Sequence, residues 1–293
     1  MTHSGSERAI LVGLIGAGIQ RSLTPAMHEE EARAQCLRLN YQLIDLDAAG
    51  VGAEKLPVLI EAARMIGFAG LNITYPCKQA VIPLLDELSD EAAAMGAVNT
   101  VVFDRGRAVG HNTDGSGWAW GFERALPGAD LSRVVLLGAG GAGSAIAHAV
   151  LRMGAAQLRI VDAEPGRADR VAAALARHYG PGRASAAGDI GNALTGATGL
   201  IHATPTGMDK VPGLALAADL LRPELWVSEV VYFPLDTALL RAARARGCAT
   251  VDGGTMAAGQ AIGAFELFTG RRADPIRVEA HLRGLLAGGA SAA

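Results

Sequence analysis

The chain has 293 residues, half of them hydrophobic and only 4% aromatic, with 38 glycines. That length suits two domains with sizeable cores, and the apolar content excludes disorder over most of the chain. A net charge of -3 excludes the basic field that nucleic-acid binding needs, and Cys36, Cys77 and Cys248, with no C-x-x-C arrangement, exclude a disulfide framework or zinc knuckle.

Residues 10–15 are apolar and bounded by glycines, which predicts a strand buried on both faces. The run continuing to residue 19 is short, holds three glycines and lacks a basic leader, so neither a signal peptide nor a membrane span is expected, and the expected location is cytoplasmic. A helix is expected over 25–39, a strand over 41–46, a helix over 56–66, a short strand over 70–73 and a helix over 78–88. Residues 98–104 and 107–111 read as strands joined by an Asp104-Arg105-Gly106 turn, adding an antiparallel member to the sheet. After the Pro127-Gly128 turn the alternation restarts. Strands are expected over 133–137, 158–161, 184–187, 199–203, 225–230 and 249–251, with helices from Ala142 and over 167–178. Residues 256–268 predict a helix, another follows Asp274, and a Gly/Ala/Ser tail closes the chain.

Such repetition implies α/β architecture with a doubly wound, mostly parallel sheet. Within it, strand 134–137 runs into Gly138-Ala139-Gly140-Gly141-Ala142-Gly143, a G-x-G-x-x-G at a strand-to-helix junction. The first glycine permits the tight turn, the second admits a pyrophosphate and the third lets helix pack on strand. Asp162 ends the next strand, 19 residues past Gly143, where a carboxylate can accept both adenosine ribose hydroxyls. With Ala163 and Glu164 following, a 2'-phosphate meets two acids, which favours NAD; Arg167 is the residue that could offset this. A loop carboxylate or helix cap is the plainer reading of Asp162. The pattern is that of a Rossmann dinucleotide-binding domain over 112–254, with 1–111 plus 255–293 forming a mixed α/β domain to which the C-terminal helices return.

In the first half, polar groups end apolar runs: Ser22 and Thr24 before Pro25, Asn72 and Thr74 before Lys78, Asn99-Thr100, and Asn112-Thr113-Asp114. Singly, each also suits a helix cap or a turn. Together they suit a ligand at the strand ends of an open sheet. Hydroxyl and amide side chains match a polyol, and short hydroxyls can hold a carboxylate.

From about residue 11 to 282 the chain resembles the shikimate dehydrogenase family, whose motifs stand here as Ser22 to His28, Asn72 to Lys78, Gly96 to Thr100, Gly110 to Gly117 and Gly138 to Gly143. The loop Ala203-Thr204-Pro205-Thr206-Gly207-Met208 looks like the family's A-T-P-x-G-M. The resemblance implies a substrate site between the domains, with Ser22 and Thr24 on the carboxylate and Asn72, Thr74, Asn99 and Gln260 on ring hydroxyls. Tyr232 would also reach substrate; a core or interface tyrosine is the alternative. Thr204, Pro205, Gly253 and Met256 would flank the cofactor, and Lys78 and Asp114 would be catalytic. Two positions depart from the family: Arg21 replaces a usual His, and Thr24 stands where biosynthetic members commonly have Ser. Thr24 with the acidic adenosine end looks like the NAD-dependent quinate/shikimate subgroup. Quinate and shikimate are the small-molecule partners this implies, with a homodimer as the assembly to test. The rivals are an NADP-dependent biosynthetic shikimate dehydrogenase and a non-catalytic dinucleotide-binding sensor. His28, His111 and His202 read as structural, and no metal is expected since the histidines lack ligand spacing.

Overall fold

The computed structural model describes residues 9–290. By contact the chain divides into two units, the first comprising residues up to Thr113 together with Ala261–Leu285, the second comprising Asp114–Gln260 and the residues from Leu286 on. The last residues of the expected Gly/Ala/Ser tail, 291–293, lie outside the described residues.

The first unit opens with β1 (Ile10–Gly16), α1 (Thr24–Ala34) and β2 (Leu39–Asp45), followed by α2 (Leu56–Ile66), β3 (Gly70–Ile73) and α3 (Cys77–Ala80). It continues through β4 (Glu87–Leu88), α4 (Asp90–Met95), β5 (Thr100–Asp104) and β6 (Arg107–His111). The six strands form one sheet in the order β2-β1-β3-β5-β6-β4. β1 pairs in parallel with β2 and β3, and β5 lies antiparallel to both β3 and β6. Val12 and Ile15 of the inner strand β1 are fully buried, as helix-covered parallel strands require. The turn expected at Asp104-Arg105-Gly106 puts Arg105 and Gly106 at positive φ, which twists the hairpin in the favoured sense.

Two expected helices are shorter than the pattern suggested. The first stops at Ala34 because Cys36 takes a left-handed φ of 58° and turns the chain into β2. The span 78–88 is not one helix: α3 ends at Ala80, Pro83 sits in a 3-10 turn over Ile82–Leu84, and β4 pairs with β6.

The second unit begins with α5 (Asp114–Ala125), then β7 (Arg133–Leu137), α6 (Gly141–Arg152), β8 (Gln157–Val161), α7 (Arg167–Tyr179), β9 (Ala184–Ala186) and α8 (Ile190–Leu194). β10 (Gly199–His202), β11 (Trp226–Glu229), α9 (Ala238–Ala245) and β12 (Ala249–Val251) complete its sheet, and α10 (Gly253–Thr269) and α11 (Pro275–Ala290) end the described chain. All its strands are parallel in the order β12-β11-β10-β7-β8-β9, the doubly wound Rossmann order whose switch point lies between β7 and β10. Trp118 stacks on Phe122 at 4.9 Å and Phe122 meets the edge of Trp226 at 4.7 Å, with both indole N–H groups satisfied, by Ser228 and by the Asp130 carbonyl. Gly117 and Gly259 let the backbones of α5 and α10 touch, since a methyl on either would collide with the other helix.

Candidate active site

In the first unit the carboxyl ends of β1, β3 and β6 and the amino end of β5 reach the same rim of the sheet, because β5 runs antiparallel to its neighbours. That topology brings the four polar motifs to one edge. Ser22 follows β1, and its hydroxyl lies 3.1 Å from Thr24 Oγ1 while accepting the Thr24 N–H at 3.3 Å. α1 carries no side-chain cap, so these half-buried hydroxyls do not serve as one. The loop before them hangs from Asp45, whose carboxylate accepts N–H groups of Gly18 and Ile19 at 3.0 and 3.1 Å and the Gln20 amide at 3.0 Å. Burial alone would raise the Asp45 carboxyl, but these hydrogen bonds hold it below the ordinary carboxylate value.

Asn72 and Thr74 follow along β3. Asn72 Oδ1 accepts the Tyr41 hydroxyl at 2.7 Å, and its Nδ2 donates to Thr100 Oγ1 at 3.1 Å and to the Asn99 carbonyl at 3.3 Å. Thr74 is half-buried, and its N–H is held by the Ile15 carbonyl at 2.9 Å. Lys78, half-buried on α3, accepts the Val98 N–H at 2.9 Å through its carbonyl. Asn99 is buried; its Oδ1 accepts the Thr113 N–H at 2.8 Å and the Thr100 hydroxyl at 2.9 Å, and its Nδ2 donates to Thr113 Oγ1 at 3.0 Å. Two residues of this network, Asp45 and Tyr41, carry no local sequence signal; His28, the last residue of the first motif, makes no side-chain hydrogen bond and is buried against the rings of Tyr41, Phe265 and Phe268.

The second unit holds the remaining sequence-predicted residues. Asp114 is the first residue of α5 and is buried; Gln260 lies on α10 where that helix touches Gly117, and Tyr232 follows β11 with 38% of its surface exposed. Of the glycine-rich loop, Gly138 takes φ 102°, and a methyl there would lie 2.6 Å from the Ala203 carbonyl; one at Gly143 would overlap the Gly138 carbonyl. Ala139 is buried, and Ala142 lies in the first turn of α6. At Gly140 and Gly141 a side chain would meet nothing within 4 Å. The loop therefore packs on its outer glycines and keeps its middle open where the first amides of α6 lack helical acceptors, which fits a pyrophosphate. Ala203 and Thr204 follow β10, so the loop and this segment meet at the switch point of the sheet. Gly253 packs on the carbonyls of Val230 and Val231, and Met256 is buried among the core residues.

Asp162 does more than end β8. Its Oδ2 accepts the Ala139 N–H and its Oδ1 the Glu164 N–H, each at 2.7 Å, so the carboxylate ties the glycine-rich loop to the segment that follows β8. Arg167 folds back, with Nη1 3.4 Å from Asp162 and Nη2 on Glu164, and Arg170 pairs with Glu164 at 3.0 Å. The pair of acids is thus partly neutralised. His202 of β10, read from sequence as structural, pairs with Glu229 of β11 at 2.8 Å. Among the described residues no group of three candidate metal ligands occurs, and no helix is long and apolar enough to cross a membrane.

Strand order and loop together define a dinucleotide-binding domain of the Rossmann class. Comparison narrows the class. Residues 14–101 match the model of the shikimate dehydrogenase substrate binding domain. The chain is 59% identical to a shikimate dehydrogenase (NADP(+)) of Streptomyces avermitilis over 94% of this chain and 96% of that protein. It is 47% identical to a quinate/shikimate dehydrogenase (NAD(+)) of Corynebacterium efficiens, covering 93% and 97% of the two chains. Quinate dehydrogenase from Corynebacterium glutamicum, solved in complex with NAD, superposes with a TM-score of 0.90 at 45% identity, over 94% of this chain and 99% of that one. The chain belongs to the shikimate dehydrogenase family, and it is an oxidoreductase of the shikimate/quinate dehydrogenase type.

Proposed function

We propose that this enzyme reversibly oxidises the C3 hydroxyl of quinate or shikimate with NAD, giving 3-dehydroquinate or 3-dehydroshikimate. The reading rests above all on the convergence of hydroxyls, amides and one lysine on a single sheet rim of the first unit. Ser22 and Thr24 take the carboxylate, and Asn72, Thr74, Asn99, Tyr232 and Gln260 take the ring oxygens. Residues 138–143, Asp162, Thr204, Pro205, Gly253 and Met256 would hold the dinucleotide, which would supply the hydride acceptor. Lys78 Nζ takes the hydroxyl proton as the C–O bond becomes a carbonyl, and returns it in the reverse direction. Asp114 orients that amine and completes the relay.

NAD is supported by the carboxylate of Asp162 at the adenosine ribose position, with Glu164 two residues on, and by the NAD-bound relative. NADP is the second reading, favoured by Arg167 and Arg170, which reach these acids and could turn to a 2'-phosphate. Steady-state rates for quinate and shikimate against NAD and NADP test the proposal. A higher kcat/KM with NAD for at least one acid supports it; a large NADP preference overturns the reading of Asp162. Lys78→Ala should abolish turnover while calorimetry still detects the acid, and near-normal turnover in that variant would refute the proton-relay assignment.

A further inference from the structure

At the carboxyl ends of β10 and β11 lie three buried polar residues that the proposed reaction does not use, His202, Glu229 and Thr237. His202 and Glu229 are both fully buried, with Nδ1 2.8 Å from Oε1. Glu229 Oε1 also accepts the N–H groups of Val230 and Val231 at 2.9 and 3.0 Å, and Oε2 accepts the Thr237 hydroxyl at 2.9 Å. Thr237 in turn caps α9 by accepting the Leu240 N–H at 3.3 Å. Across the imidazole, Nε2 lies 2.5 Å from Thr204 Oγ1.

The proton directions follow from chemistry. A carboxylate only accepts, so Nδ1 carries the hydrogen, and in a neutral imidazole Nε2 is then the acceptor and Thr204 the donor. Thr204 Oγ1 still accepts the Thr206 N–H, at 3.3 Å. With its hydroxyl committed to His202, Thr204 holds its methyl carbon against the first glycine of the loop, where a side chain on Gly138 would stand 2.9 Å from it. At the far end of the turn, a side chain on Gly207 would stand 3.5 Å from Thr237 Cβ. Both ends of the turn at 204–207 therefore rest on the same buried chain, and Thr204 is where that chain meets the glycine-rich loop. Burying an imidazole and a carboxylate is costly unless each is fully paired, and here the pairing leads to the loop wall.

We propose that His202, locked by Glu229, is a positioning residue for the dinucleotide: it fixes the Thr204 hydroxyl and thereby the wall of the glycine-rich loop. This deepens the proposed function and rests on its reading of residues 138–143 and Thr204 as part of the dinucleotide site. The test measures Kd of the purified protein for NADH and for NADPH by nucleotide fluorescence, beside its melting temperature. His202→Asn keeps an N–H for Glu229 and removes the acceptor facing Thr204. Its Kd for the preferred nucleotide should rise about fivefold to tenfold, the loss of one buried hydrogen bond. The KM for that nucleotide should rise by the same factor without a matching fall in kcat. Thr204→Val, which keeps the methyl and loses the hydroxyl, should reproduce the effect, and the double variant should bind no worse than either single one, because both cut the same bond. A folded His202→Asn with unchanged Kd, or losses that add in the double variant, would overturn the proposal. Should His202→Asn fail to fold, Thr204→Val decides, and wild-type affinity in that variant overturns the proposal. Wild-type protein binding neither nucleotide sinks the loop reading itself, independently of the variants.

Discussion

His28 offers a measurable consequence of its burial. It is 1% exposed on α1, its ring lies 5.0, 6.0 and 5.8 Å from those of Tyr41, Phe265 and Phe268, and neither ring nitrogen has a hydrogen-bond partner. Burial without a partner lowers its pKa from 6.5 to about 3. The unfolded chain thus binds a proton between those two values that the folded protein refuses, so stability is full above pH 6.5 and declines as the pH falls toward 3. At pH 5 the ring is 1.5 units below its unfolded value, a loss of about 2 kcal/mol, growing to about 5 kcal/mol by pH 3. His28→Phe keeps a ring among rings and removes the titration. Urea unfolding of both proteins at pH 7 and pH 5, followed by far-ultraviolet circular dichroism, isolates the difference; other buried groups such as His148 cancel between them. Tryptophan fluorescence is the wrong probe, since Trp118, Trp120 and Trp226 all lie in the second unit. The wild type should lose about 2 kcal/mol more than the variant across that interval. Equal losses in the two proteins would refute the argument that His28 is buried neutral and unpaired.

Three further outcomes are expected. Tyr41→Phe removes the hydroxyl that holds Asn72 Oδ1 at 2.7 Å and should raise the KM for the acid roughly fivefold with little change in the KM for the dinucleotide, as initial-rate kinetics would reveal. Gly143→Ala places a methyl on the Gly138 carbonyl, so α6 must move off β7; nucleotide fluorescence should detect no binding, and the melting temperature should fall. Asp162→Asn retains an acceptor for the Ala139 N–H but removes the charge, and should shift the NADP/NAD ratio of kcat/KM toward NADP by about tenfold, with no shift counting against the electrostatic account.

The alternation of strand and helix was legible because buried parallel strands leave short apolar runs, and the glycine-rich loop because three glycines at that spacing follow one of them. The sheet rim was legible for a related reason: Ser22, Asn72, Asn99 and Asn112 all terminate such runs. In the span 78–88 the breaker Pro83 was legible, but β4 was not, since it exists only through pairing with β6, some twenty residues away, which leaves no periodicity of its own. Nor were the supports of the site. Asp45 reaches Gly18 across 27 positions, Tyr41 reaches Asn72 across 31, and His202 reaches Glu229 across 27. A hydrogen bond of that span has no local signature, so His202 on an apolar strand could not be told from an isolated core histidine.

The network also changes what the two asparagines can contribute to a polyol. Both hydrogens of Asn72 Nδ2 are given to Thr100 and the Asn99 carbonyl, which leaves a lone pair on Oδ1 beside the one taken by Tyr41. Asn99 is the reverse: its Oδ1 already accepts from Thr113 and Thr100, so any bond it makes to a substrate comes from its nitrogen. On the proposed reading, Asn72 then accepts from one ring hydroxyl and Asn99 donates to another. A diol satisfies that pair, whereas a carbonyl, which can only accept, suits Asn99 alone. The same asparagine orders the chain, for Val98 N–H rests on the Lys78 carbonyl and Asn99, next along, clamps Thr113, the residue before Asp114. Lys78 and Asp114 are 36 positions apart in sequence, yet the backbone of one and the chain entering the other are tied through two adjacent residues of the first unit. On the proposed reading, loss of the Asn99 side chain would therefore disturb the proton relay along with the contact to the ring.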